Sequence, residues 1–311
     1  MKMTHKITPA YPSFTRRAIT FTIDDGNIKY DSKFIEILRP HGIRGTFNLC
    51  PHSMDREDGF YREFYAGFGI ANHTYRHPYA MEDSITYITV NEPRGDQPPA
   101  TDLIYPHPTD RGFYWKHYPH GWRELADTET YLDCITRAQA RLARIFGDGA
   151  VRGFVWPYSE QNNAEIKAHL HANFTSVRKT GDLLDTTGFS IPTDKMAWSY
   201  HCRETNLLDV MAKFAAYPDD GTLKFCAIGV HSVDFERAGK WDDLASFAAT
   251  YGDRPHDFWY APVDDIFDYA TAMDRLRVTD TAVENPTDLT LYVELDGTRL
   301  TLPAHTVHPL E

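Results

Sequence analysis

Ala18-Ile19-Thr20-Phe21-Thr22-Ile23-Asp24-Asp25-Gly26 is the stretch on which the reading of this chain turns. An apolar, β-branched run that stops at a turn residue is the signature of a buried strand. Strand side chains alternate between faces, so Asp24 and Asp25 can both reach one site only where the strand ends. Gly26 supplies the turn, because it adopts backbone angles that other residues resist. Two adjacent carboxylates closing a core strand are costly to bury unless they are paired or bound to a cation. Taken by itself, the stretch is also an Asp-Gly turn with one solvated acid and one helix cap.

A second stretch changes the balance. Ile70-Ala71-Asn72-His73-Thr74-Tyr75-Arg76-His77 carries histidines at i and i+4, which share a face on a helical turn and could hold one metal ion. An isolated pair at this spacing is more often structural. Joined by Asp25, however, His73 and His77 make a two-histidine, one-carboxylate set that leaves coordination positions open for water. That is the pattern of a catalytic rather than a structural metal.

Thr22-Ile23-Asp24-Asp25-Gly26 and His73-Thr74-Tyr75-Arg76-His77 resemble the first two motifs of the polysaccharide deacetylases (NodB-homology domains, carbohydrate esterase family four), in order and in separation. The likeness runs from about residue 17 to about residue 270. It implies an α/β fold, a distorted (β/α) barrel, and a hydrolase that needs one divalent ion. Zn is favoured for that ion, with Co, Ni and Mn as alternatives. On that resemblance Asp25, His73 and His77 hold the metal and Asp24 is the general base. The family's third motif is Arg-x-Pro-Tyr; Pro157 and Tyr158 are present here, but Val155 stands in the arginine slot. Arg178, closing the next expected strand, could reach across the barrel mouth and pair bidentately with Asp24. A surface arginine beside Lys179 is the other reading of it. His231 resembles the fifth motif, whose histidine is a general acid, and Asp234 could fix its tautomer. A backbone N–H near Tyr158 would help hold the oxyanion. Trp198 is a candidate wall for the acyl group, with core packing the plainer account, and His201 a candidate substrate contact.

The chain has 311 residues, 42% hydrophobic and 24% charged, ordinary values for a globular enzyme with one large core. A net charge of −12 argues against nucleic acid or an anionic membrane as partner. No apolar run reaches the roughly 20 residues that span a bilayer. Met1 to Arg17 has no apolar core of a secretory signal, and the widely spaced Cys50, Cys134, Cys202 and Cys226 show no metal spacing. Together these favour a cytoplasmic setting; a homo-oligomer is left open.

Along the chain, Asp31 is expected to cap a helix carrying Phe34, Ile37 and Leu38. Strands are expected at Gly45 to Leu49 and Gly69 to Asn72, with a short helix between them, the alternation of a parallel α/β fold. Residues 78–121 break the pattern and read as a long aromatic loop, a lid, substrate wall or subunit contact, in which His107, His117 and His120 are not taken as ligands. Asp127 to Phe146 has clear helical periodicity. Strands ending at Trp156, Arg178, His231 and Ala261 follow, with helices between them. The barrel thus spans residues 1–277. Residues 278–311 form a small β appendage, with a hairpin turning at Asp296-Gly297.

The function expected from these residues is metal-dependent removal of an acetyl group from a saccharide, an N-acetylated amino sugar being favoured. Hydrolysis of a small non-sugar amide, as in allantoinase-like relatives, is one alternative. A carbohydrate-binding barrel that has lost turnover is the other, and Val155 is its main support.

Overall fold

The computed structural model describes residues 5–82, 104–118, 121–181 and 183–310. Six strands run parallel: β1 (Arg17–Asp25), β2 (Gly45–Leu49), β3 (Gly69–Asn72), β4 (Val151–Val155), β5 (Ser176–Arg178) and β6 (Lys224–His231). Their order in space is β5-β4-β3-β2-β1-β6, and the short β7 (Trp259–Tyr260) pairs with the start of β1. The two edges of this sheet are bridged by the segment from Trp198 to Cys202, which pairs with Arg178 at one end and Ile228 at the other. The result is a distorted (β/α) barrel with the strand C-termini at one mouth.

Period two on β1 divides the core. Ile19, Phe21 and Ile23 pack against the helices, Phe21 meeting Phe34 of α1 (Ile28–Leu38) edge-on at 5.4 Å. The other face turns into the barrel, where Ala18 joins Phe225 and Ala227 of β6. The same alternation carries Asp24 into the barrel mouth. Asp25 reaches that mouth too because its φ of 77° swings the chain out of the strand.

The helix after Gly26 starts earlier than expected, at Ile28, and Asp31 is not its cap. Asn27 occupies the cap position, so Asp31 falls in the first turn and is fully buried. There its carboxylate accepts hydrogen bonds from Tyr65 (2.8 Å) and Ser232 (2.6 Å). The 19-residue α2 (Thr128–Phe146) matches its periodicity, with the Asp127 side chain accepting from the N–H of Thr130 at 2.9 Å.

The stretch 78–121 differs from the loop expected. Residues 83–103 and 119–120, His120 among them, lie outside the described residues. Three short strands of the remainder join Gly121–Ala126 in a four-stranded sheet, ordered Tyr79–Ala80, Gly121–Ala126, Phe113–Tyr118, Ile104–Pro106. Alternation was invisible there because both faces of Phe113–Tyr118 carry rings. Trp115 stacks on His107 from one face and Tyr118 on Tyr79 from the other. Arg76 clamps this sheet to the barrel through Asp110 (2.8 Å) and Glu124 (2.7 Å), with its guanidinium 4.4 Å above Phe113.

At the far end, Leu291–Leu295 and Thr298–Leu302 form the expected hairpin, with positive φ at both Asp296 (49°) and Gly297 (85°). A strand from the other end of the chain, Ile7–Ala10, adds to it antiparallel, Ile7 opposite Leu295 and Ala10 opposite Tyr292. Tyr269 docks this unit on the barrel: its hydroxyl donates to the Ala10 carbonyl and accepts from the Tyr292 N–H. Among the described residues, no helix is long and apolar enough to cross a membrane, and the four cysteines are buried and unpaired.

Candidate active site

Strand ends converge on one cleft of about 460 Å³, into which Asp24, Asp25, His73, His77, Tyr158 and His231 all face. One atom each from Asp25, His73 and His77 lies within 4.8 Å of the others. The Nε2 atoms of His73 and His77 stand 3.6 and 3.4 Å from Asp25 Oδ1. His73 Nδ1 donates to the carbonyl of Val155 (2.8 Å), which directs the Nε2 lone pair at Asp25. His73 Nε2 and Asp25 Oδ1 are buried with no hydrogen-bond partner among the described residues. Orphaned acceptors of this kind are costly unless a cation satisfies them, so the donor set fits a divalent ion. Burial and the neighbouring His73 lower the His77 pKa to about 4, favouring the neutral imidazole that ligation requires.

The two histidines do not meet on a helical turn, as their spacing had implied. Residues 73–77 form an irregular loop in which Thr74 and His77 both take φ of 62°. Asn72 Oδ1 accepts from the Thr74 N–H and Thr74 Oγ1 from the His77 N–H, so side chains hold the loop where helical hydrogen bonds would have. With Asp25 and Tyr158 (φ 60°), four non-glycine residues of the site sit in the left-handed region. At roughly 1–3 kcal/mol each, such strain is typical of sites held by the surrounding structure.

Asp24 is buried against Arg178. Nη2 of Arg178 donates to both carboxylate oxygens, at 2.5 and 2.6 Å, while Asn48 donates to Oδ1 at 2.6 Å. Arg178 thus reaches both oxygens of Asp24, as expected, and does so through a single nitrogen. Arg178 stands in register with Val155 on the adjacent strand, so the guanidinium sits one strand over from the vacant slot. Burial pushes the Asp24 carboxyl up, but Arg178, with His73 and His231 nearby, outweighs it and holds the pKa below its ordinary value.

His231 Nδ1 pairs with Asp234 at 2.8 Å. Its Nε2 faces the acids, 4.0 Å from Asp24 and 3.9 Å from Asp25. Burial works against its charge, but Asp234, Asp24 and Asp25 prevail and raise the pKa to about 9.

A family model described as polysaccharide deacetylase matches residues 12–177, more than half of the chain. This chain belongs to the polysaccharide deacetylase family. No curated protein matches it in sequence. Among solved structures it is similar to the polysaccharide deacetylase Bc1974 from Bacillus cereus, at 13% identity, covering 79% of this chain and 92% of that one, with a TM-score of 0.43. The peptidoglycan deacetylase PdaC from Bacillus subtilis gives 14%, 83% and 94%, with a TM-score of 0.45. A family 4 acetyl xylan esterase from Clostridium thermocellum, in complex with a cobalt ion, gives 13%, 81% and 91%, again at 0.45.

In this polysaccharide deacetylase, two residues read from sequence as substrate contacts lie elsewhere. Trp198 is buried edge-on against Phe267 at 5.5 Å, and His201 is buried against Phe189, its Nδ1 accepting from the Ala227 N–H. Neither lines the cleft. The residue of that segment that does is Tyr200, whose ring lies 5.3 Å from the Arg178 guanidinium. Asn48 was missed as well, although a polar residue inside the apolar strand Gly45–Leu49 was a usable signal. Arg123 and Arg203 also line the cleft, and neither had a local sequence signature.

Proposed function

We propose that this chain is a divalent-metal-dependent hydrolase that removes an acetyl group from a saccharide, with an N-acetylated amino sugar favoured. The observation that carries the reading is the pairing of an orphaned Asp25-His73-His77 donor set with a separate, buried and ionised Asp24. Asp25, His73 and His77 would hold the divalent ion, which when bound would supply Lewis-acid polarisation of the acyl carbonyl and lower the pKa of water toward roughly 7. Asp24 takes the proton of the attacking water on Oδ2, which accepts from Arg178 alone, whereas Oδ1 accepts from both Asn48 and Arg178. Arg178 orients that carboxylate and keeps it deprotonated. His231, charged and held by Asp234, gives the proton on Nε2 to the departing amine or alcohol. The strained backbone at Tyr158, beside His77, offers an N–H for the developing oxyanion.

The ionised Asp24 also weighs against a lapsed binding barrel, because a sugar-binding pocket has no use for a buried carboxylate held beside a metal set. The test is acetate release from matched N-acetylated and O-acetylated oligosaccharides, with and without a chelator. Release that the chelator abolishes and added Zn²⁺ restores supports the reading. Absence of release from every saccharide by metal-loaded protein overturns it.

A further inference from the structure

The cleft carries more positive charge than the reaction uses. In a chain with 44 acidic and 32 basic residues, its lining holds four arginines against two aspartates. Arg178 is committed to Asp24, and Arg237 lies 3.3 Å from Asp234. Arg123 and Arg203 are different. Arg123 donates to the Trp122 carbonyl (3.2 Å) and stands 5.5 Å over the ring of Tyr158. Arg203 donates to the Tyr200 hydroxyl (2.5 Å) and stands 5.4 Å over its ring. Among the described residues, neither has a carboxylate within ion-pair distance, although the surface is rich in acids.

Each guanidinium is therefore steered by a neutral aromatic that itself lines the cleft, and its charge remains unanswered. Like charges gathered in one concavity repel, and an anionic ligand relieves that repulsion while being drawn in by the focused field. We propose that the saccharide bears an oxyanion, a carboxylate or a phosphate ester, next to its acetylated centre, and that Arg123 and Arg203 read it. This rests on the deacetylase reading of the site and adds the substrate's charge class. The two arginines line the cleft from different elements, Arg123 from the strand Gly121–Ala126 and Arg203 from the residue after the segment that closes the barrel, so an anion in the cleft can be met by both. Guanidinium geometry suits planar and tetrahedral oxyanions alike.

The experiment uses three N-acetylated oligosaccharides matched in length: one neutral, one with a uronic acid beside the acetylated residue, and one with a phosphate ester there. Wild type is expected to favour one of the anionic pair over the neutral sugar by roughly tenfold in kcat/KM at low salt, the size of one charge-assisted contact. The stronger of the two identifies the oxyanion. Arg123→Gln with Arg203→Gln should bring that ratio to about one, and added salt should do the same to wild type. Arg203→Lys should keep part of the preference, which a merely structural arginine would not. Equal kcat/KM for all three sugars, or a ratio indifferent to both variants and salt, overturns the proposal. Calorimetry of the same sugars with metal-free protein separates the two readings. If no acetate is released at all, tighter binding of an anionic sugar still upholds the anion reading, and equal binding of all three refutes it.

Discussion

Removing Arg178 is the sharpest test of how Asp24 works. Arg178→Met keeps most of the side chain's volume and deletes both contacts to Asp24, leaving that buried carboxylate with Asn48 alone. Breaking a buried pair by deleting one partner costs about 3–5 kcal/mol, because the remaining charge is left uncompensated. Against a total stability of roughly 5–15 kcal/mol, that is a large but survivable loss, to be read by denaturant unfolding. The carboxyl will recover part of the cost by taking up a proton. Arg178 lowers the Asp24 pKa, so the native pair contributes stability above the unfolded carboxyl's pKa of 3.8, and loses it as pH falls through the lower folded value. In the variant this contribution disappears and the acid limb of the rate profile moves to higher pH. A base protonated for much of the working range should lower kcat by about 10²-fold, read as acetate release. Val155→Arg added to Arg178→Met places a guanidinium one strand over, in register, and should restore part of the rate. If Arg178→Met keeps kcat within twofold and the acid limb stays in place, Arg178 does not govern Asp24 and the assignment fails.

Asp24→Asn should leave metal content unchanged by elemental analysis while acetate release falls by roughly 10²–10⁴-fold, the usual contribution of a general base; equal rates would remove Asp24 from that role. Asp31 gives a pH signature in stability. Burial, with Asp25 adding to it, raises the Asp31 pKa from 3.8 to about 7 against its two hydrogen bonds, so its contribution is present below pH 3.8 and lost as pH rises to about 7. That swing is on the order of 4 kcal/mol, and Asp31→Asn should flatten unfolding free energy across the same window; an unchanged slope would refute it. Arg76→Met releases Asp110 and Glu124 together, and hydrogen exchange should speed up in Phe113–Tyr118 and Gly121–Ala126 more than in the barrel strands. Equal protection in both regions would show that the clamp is idle.

Much of this molecule was legible because its chemistry sits where strands stop. Asp24, Asp25, His73 and His231 each close or follow an apolar run, and a polar residue at that position is conspicuous against its neighbours. His77 was legible through its spacing from His73, although the backbone that unites them is a strained loop no propensity anticipates. Tyr200, Arg123 and Arg203 were not legible, since they owe their place to the segment closing the barrel, to the residue just past it and to a sheet whose rings cover both faces. Trp198, a candidate acyl wall, follows the plainer account and packs in the core: in an irregular segment, sequence does not say which aromatic turns to the cleft. Ile7–Ala10 went unread because its partner lies at the opposite end of the chain.

That last pairing sets the order of assembly. Residues 7–10 leave the ribosome first among the described strands, yet their hydrogen-bonding partner, Leu291–Leu295, is among the last to appear. Until then Ile7–Ala10 has no sheet to join, and Tyr269 lacks the Tyr292 N–H, one of the two backbone groups it ties together. Closing so long a loop is slow, and it leaves strand edges open in the meantime. The barrel can collapse around β1 early, but the clasp over its far end shuts only after the final hairpin has been made. A nascent chain stalled before residue 291 would therefore carry its site residues while lacking its fastening, and would be the form most exposed to chaperones and proteases.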